Sequence, residues 1–178
     1  ARSIPARHRP PALKDRPWRL HCAGSLGMDP ACSASLQQAI QAHGLQDRVL
    51  LHGEQDEAGL RRLYAAADAF ELPSYHEGYG MALAQAIACG LPVVSTRVGA
   101  IGDTVPEAAG VLVPPGDVPA LHAALQRLLD DPGWRGQLRD GALSARAALP
   151  TWRTSSKRFA DALAALCQEE PGRRNLNR

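Results

Sequence analysis

Glu71–Thr96 reads ELPSYHEGYGMALAQAIACGLPVVST. It opens at the end of a short apolar run, Ala69–Leu72, which Pro73 stops because proline brings no N–H to a sheet ladder. A polar loop follows, with Gly78 and Gly80 flanking Tyr79, and the next helical pattern opens near Gly80 and spans about residues 80–89. Gly90 and Pro92 punctuate the return, and Pro92–Ser95 (PVVS) reads as a second strand. Strand, glycine turn, helix and strand in succession make a βαβ unit, which implies parallel strands.

The same alternation extends in both directions. Trp18–Ala23 (WRLHCA), Arg48–His52 (RVLLH) and Val111–Val113 (VLV) are strand-like, and helix candidates lie at about 32–43, 56–67, 117–130 and 152–168. Val118–Asp130 carries Leu121, Leu125, Leu128 and Leu129 on one stripe, the pattern of a helix covering a sheet, and Pro132 reads as its stop. The last candidate repeats the pattern with Phe159, Leu163 and Leu166. No internal repeat is visible. The fold class is therefore α/β, a Rossmann-like parallel sheet flanked by helices, occupying residues 18–170. Residues 1–17 read as an irregular basic arm: Pro5, Pro10, Pro11 and Pro17 break it, and Arg2, Arg7, Arg9, Lys14 and Arg16 are opposed only by Asp15. Residues 171–178, PGRRNLNR, read as a disordered tail.

Composition narrows the function classes. The chain has 178 residues, 45% hydrophobic and 21% charged, which is ordinary for a globular domain and excludes disordered and fibrous classes. Its net charge of +2 and aromatic content of 4% argue against nucleic-acid binding by bulk charge or by a stacking platform. No apolar run reaches the ~18 residues of a membrane span, and the first residues lack the apolar core of a signal peptide. Cys22, Cys32, Cys89 and Cys167 form no C-x-x-C pair and have no histidine at zinc-finger spacing, so buried free thiols in a reducing cytosol are expected. The start at Ala1 rather than Met suggests a piece of something longer.

Parallel sheets bind ligands at the carboxyl ends of their strands, and the loop before Gly80 lies there. Gly78 and Gly80 remove two side chains where the backbone enters a helix, whose free N–H groups and positive dipole end suit a phosphate. A glycine turn needed only for chain reversal is the alternative. Glu77 stands where a carboxylate could accept from the hydroxyls of a polyol, or could simply be a solvated loop acid. His76 has no visible partner. Neither a G-x-G-x-x-G, nor a G-x-x-x-x-G-K-[ST], nor a G-x-S-x-G is present, so the common dinucleotide, P-loop and hydrolase fingerprints are missing.

Taken in order, WRLHCAGSL, DRVLLHGEQDEAGLRRLYAAADAFELPS, PSYHEGYGMALAQAIACGLPVVST and GVLVPPGDVPALHAALQRLLDDP resemble the C-terminal, nucleotide-sugar-binding domain of group 1 (family 4) retaining glycosyltransferases, one half of a GT-B fold. The resemblance covers roughly residues 17–168. It implies that Glu77 is the first acid of the family's E-x7-E motif, near the hydroxyls of the donor sugar. The backbone of Gly78, Tyr79, Gly80, Met81 and Ala82 would face the sugar and diphosphate, and Gly53 and Glu54 would lie near the nucleobase. Gln85 stands in the place of the second acid, which receives the ribose hydroxyls. The resemblance implies a nucleotide-diphosphate-sugar donor, no obligatory metal and no cofactor. It places the protein in the cytoplasm, or peripherally at the inner face of the membrane.

Two departures follow. Gln85 is uncharged and accepts through one oxygen only. The family's domain also opens with a central strand, an Arg/Lys pair that grips the diphosphate, and a helix, whereas only ARSIPARHRPPALK precedes the first matched segment; Arg7 stands near the missing lysine. The acceptor-binding N-terminal domain is missing from this chain, so it is expected to be inactive alone. The strands at Trp18–Ala23 and Ala69–Leu72 are expected to lose their shared neighbour, and Glu71, an acid where the family is usually apolar, would border that gap. The rival reading is a degenerate, non-catalytic module that binds a nucleotide weakly or serves in assembly; Gln85 and the eroded start favour it.

Overall fold

Four aspartates start four helices in the computed structural model, which describes Leu13 and residues 16–168. Asp29, Asp56, Asp117 and Asp131 accept from the backbone N–H of Cys32, Gly59, Ala120 and Trp134, each satisfying a donor that the first helical turn leaves orphaned. The helices are α1 (Pro30–Ala42), α2 (Glu57–Ala66), α5 (Val118–Asp130) and α6 (Pro132–Ala145). Between them run β1 (Leu20–Cys22), β2 (Val49–Leu51), β3 (Phe70–Leu72), β4 (Val93–Thr96) and β5 (Gly110–Val113), with α3 (Met81–Ala88) and the single turn α4 (Ile101–Thr104). Every strand lies within or against a segment expected from sequence. The chain divides into two units, 1–146 and 147–178, and the second contains α7 (Trp152–Gln168).

All strand pairs are parallel, yet they form two sheets, β1–β2 and β3–β4–β5. Among the described residues no strand pairs with the second edge of β1 or of β3. Residues 1–10, where a substitute strand was conceivable, lie outside the described residues. Glu71 on β3 lies close enough to act on Cys22 on β1. Burial, and secondarily the Glu71 charge, push the Cys22 thiol above its usual range. Burial also raises the Glu71 carboxyl.

The two sheets differ in packing. β4, with a neighbour on each side, is buried at all four positions, and burying Val93 and Val94 stabilises by about 1.5–3 kcal/mol each. Around it Val94, Val113, Ala124, Leu128 and Leu138 form one cluster, with α3 adding Leu83, Ala86 and Ile87 to the buried core. On the other side β1 has one neighbour and leaves Leu20 and His21 exposed, and α1 buries only Ile40. The described end of the basic arm is tied to both halves, to β2 through Arg48 and to the end of α5 through Asp130. The Trp18 indole donates to Leu13 O at 2.7 Å, the Arg48 guanidinium lies 4.1 Å over the Trp18 ring, and Arg16 pairs with Asp130.

Three expectations need correction. Pro132 does not merely stop a helix: it occupies the first turn of α6, where its missing N–H is not needed, behind the Asp131 cap. Helix α6 was unforeseen because PGWRGQLRDGALSA carries three glycines, one of which is there for packing. A Cβ on Gly141 would sit 1.8 Å from the Ala108 carbonyl oxygen. Finally, the thiols are not uniformly buried: Cys32 and Cys89 are exposed and Cys22 is half-buried.

Candidate functional site: the loop and helix start after β3

The exit of β3 is held by the end of β4. The Ser95 hydroxyl donates to Leu72 O at 2.6 Å; Thr96 Oγ1 accepts from Ser74 N at 3.0 Å and donates to Ser74 O. Both are buried polar residues of β4, so the Pro73–Ser74 turn leaves the sheet from a fixed point.

The loop then reaches α3, which starts differently from the other helices. Its N-cap is Gly80, left-handed at φ 79°, with no side-chain cap. The first intrahelical bond runs from Ala84 N to Gly80 O, so the N–H groups of Met81, Ala82 and Leu83 have no partner inside the helix. Glu77 Oε1 accepts from Gly80 N at 3.1 Å, which sets a carboxylate beside this positive helix end. Helix α2 supports the same start: the Tyr64 hydroxyl donates to Ala82 O at 3.3 Å. Burial, and secondarily Cys89, raise the Tyr64 phenol, so it remains a donor.

Gly78 and Gly80 are glycines for different reasons. Gly80 has a left-handed backbone, and a Cβ there would lie 3.0 Å from Leu83 Cδ1. Gly78 has no such backbone, and a Cβ on it would meet nothing within 4 Å. Nothing in the described fold demands a glycine at position 78.

The structure thus gathers Glu77, Gly78, Tyr79, Gly80, Met81 and Ala82 into one junction, with Tyr79 and Met81 exposed. Gly53 and Glu54 belong to a separate loop at the carboxyl end of β2. Gly53 is left-handed at φ 66°, its carbonyl accepts from Gly24 N at 2.9 Å, and Glu54 is exposed. Beside them His21 and His52 stack, with Nδ1 and Nε2 2.9 Å apart. Gln85 is exposed on α3 and its amide reaches down the helix to Cys89 Sγ at 3.8 Å, rather than toward the helix start. His76 is exposed. Among the described residues no group of three or more His, Cys, Asp and Glu gathers as a metal site. A cleft of about 200 Å³ lined by Pro73, Tyr75, Pro114 and Val118 opens nearby.

Two residues escaped sequence reasoning, and both follow β4. Thr104 Oγ1 donates to Tyr79 O at 2.9 Å, and a Cβ on Gly99 would fall 2.0 Å from Glu77 O. Local pattern carries no sign of either contact, because each joins segments more than 20 residues apart.

The described strands and helices make a parallel α/β domain with this junction at the carboxyl end of β3. The family model for glycosyl transferases group 1 matches residues 6–131, and the chain belongs to that family. It is 39% identical over 137 residues to a D-inositol 3-phosphate glycosyltransferase of Salinispora tropica, covering 76% of this chain and 28% of that protein. Among solved structures it is similar to sucrose-phosphate synthase from Thermosynechococcus elongatus, at TM-score 0.74 and 33% identity over 85% of this chain and 39% of that one. It also shares its fold with Anabaena HepE, solved in complex with UDP, at TM-score 0.76 and 24% identity over 86% of this chain and 43% of that one. The chain is thus one half of a GT-B fold, and it spans about a third of the length of the curated relatives it matches.

Proposed function

We propose that this chain is the donor-binding half of a retaining glycosyltransferase, using a nucleotide-diphosphate sugar and inactive without an acceptor-binding half. The observation that carries the reading is the start of α3: three N–H groups without helical partners, a left-handed glycine, and a carboxylate beside them. Phosphate oxygens suit the N–H groups of Met81–Leu83, and the exposed backbone at Gly78 lets a ligand approach closely. Glu77 would exchange its bond to Gly80 N for the hydroxyls of the donor sugar. The α3 N-terminus would stabilise the charge that develops on the departing nucleoside diphosphate, with no obligatory metal. Gly53 and Glu54 would border the nucleobase. The UDP held by the Anabaena structure supports a nucleoside diphosphate as the ligand class.

The acceptor would be held by a separate domain, consistent with the greater length of the relatives. Among the described residues no helix is long and apolar enough to cross a membrane. We place the protein in the cytoplasm or peripherally at the membrane's inner face. One observation favours the rival, non-catalytic module: the Gln85 amide turns toward Cys89 rather than toward a ribose site. Calorimetry with UDP, GDP and ADP, with and without EDTA, tests the proposal. Weak binding that chelation leaves unchanged is expected, because the N–H donors of α3 act without a metal. Tight binding abolished by EDTA would overturn the metal-independent chemistry.

A further inference from the structure

We propose that Gly99 and Thr104 are positioning residues that clamp the Glu77–Gly80 loop from behind and so turn its backbone N–H groups toward the ligand. The proposal rests on the donor-site reading of that loop. The clamp has a rigid base: Ile101 and Val105, on and just after α4, are 0% and 2% exposed, so this segment is fixed to the core. From it the single O–H of Thr104 is shared between two carbonyls, Tyr79 O at 2.9 Å and Ala100 O of its own turn at 3.1 Å, the loop carbonyl being the nearer. Two residues away in the loop, the Glu77 carbonyl rests against Gly99, so closely that no side chain fits between them; Gly99 is left-handed at φ 50°.

The consequence follows from peptide geometry. No peptide bond among the described residues is cis, and in a trans peptide the N–H points opposite to the C=O. Holding the Glu77 carbonyl on the α4 side therefore turns Gly78 N–H to the other side, and holding the Tyr79 carbonyl does the same for Gly80 N–H. Gly80 N–H meets Glu77 Oε1, while Gly78 N–H has no partner among the described residues. The Gly78 and Gly80 N–H groups, two residues apart, are thereby turned away from α4 beside the start of α3. The clamp touches the loop on both sides of Gly78 and leaves Gly78 itself open.

Thr104→Val keeps the shape and removes the hydroxyl; Thr104→Ser keeps the hydroxyl. UDP titration and amide hydrogen exchange at Gly78 and Gly80, read by NMR on the 178-residue chain, test the clamp. Thr104→Val is expected to weaken UDP binding about two- to tenfold, the worth of one hydrogen bond. It should also speed exchange at both amides, with the melting temperature lowered by no more than about a few degrees. Thr104→Ser should restore both readouts. Gly99→Ala should lose more, because its methyl must displace the Glu77 carbonyl; if that variant does not fold, the Thr104 pair decides. Parent-like affinity and exchange in Thr104→Val would overturn the clamp. If the parent chain fails to bind UDP, the donor-site reading falls, and the exchange rates still decide whether the clamp exists.

Discussion

Gly78→Ala separates a glycine kept for a ligand from a glycine kept for the fold. Its backbone lies outside the left-handed region and the added methyl meets nothing within 4 Å, so the folded chain accommodates it without strain. Alanine also lowers the entropy of the unfolded chain, so stability should rise by about 0.4–1 kcal/mol. A phosphate or sugar oxygen at hydrogen-bond distance from these N–H groups, however, meets the new methyl. Losing one charge-assisted bond of about 1.5–3 kcal/mol weakens binding roughly tenfold to a hundredfold. Gly80→Ala provides the contrast. Its left-handed backbone costs about 1–2 kcal/mol and its Cβ crowds Leu83, so binding and stability should fall together. UDP titration beside a thermal melt measures both quantities. A Gly78→Ala chain that binds UDP as the parent does would refute the argument that ligand approach explains this glycine.

Gly141→Ala should destabilise by about 1–3 kcal/mol, although alanine normally improves a helix, because its methyl collides with the Ala108 carbonyl; a melt several degrees lower checks this. Glu71→Gln should raise the melting temperature at pH 7. Burial lifts the folded carboxyl above its ordinary 4.5, so its contribution is complete below the unfolded value and is lost as pH rises through the folded one; melts from pH 3.5 to 7 should show the two proteins converging at the acid end. Gln85→Glu should tighten UDP binding by up to about tenfold, since a carboxylate accepts hydroxyls more strongly than an amide, and the gain should be larger at high salt, where repulsion from the diphosphate and Glu77 is screened. No change in a folded Gln85→Glu chain favours the non-catalytic module.

The strands and most helices were legible because each carries its own local signal: short apolar runs ended by Gly, Pro or Ser, and leucine stripes at helical spacing. Helix α6 was not, since Gly141 answers to the Ala108 carbonyl rather than to its own helix. The loop from Glu77 to Ala82 was legible as a glycine-rich helix entrance, but the reason for each glycine was not: Gly80 serves the backbone, while Gly78 serves nothing in the described fold. Gly99 and Thr104 were invisible because their contacts are tertiary.

The central claim is that a single nucleoside diphosphate engages the start of α3 and the loop after β2 together. Titrating ¹⁵N-labelled chain with UDP tests it most directly. Saturable shifts of the Gly78–Ala82 amides together with those of Gly53 and Glu54, unaffected by EDTA, are expected. Shifts confined to the cleft around Tyr75 and Val118, or none at either loop, would contradict it.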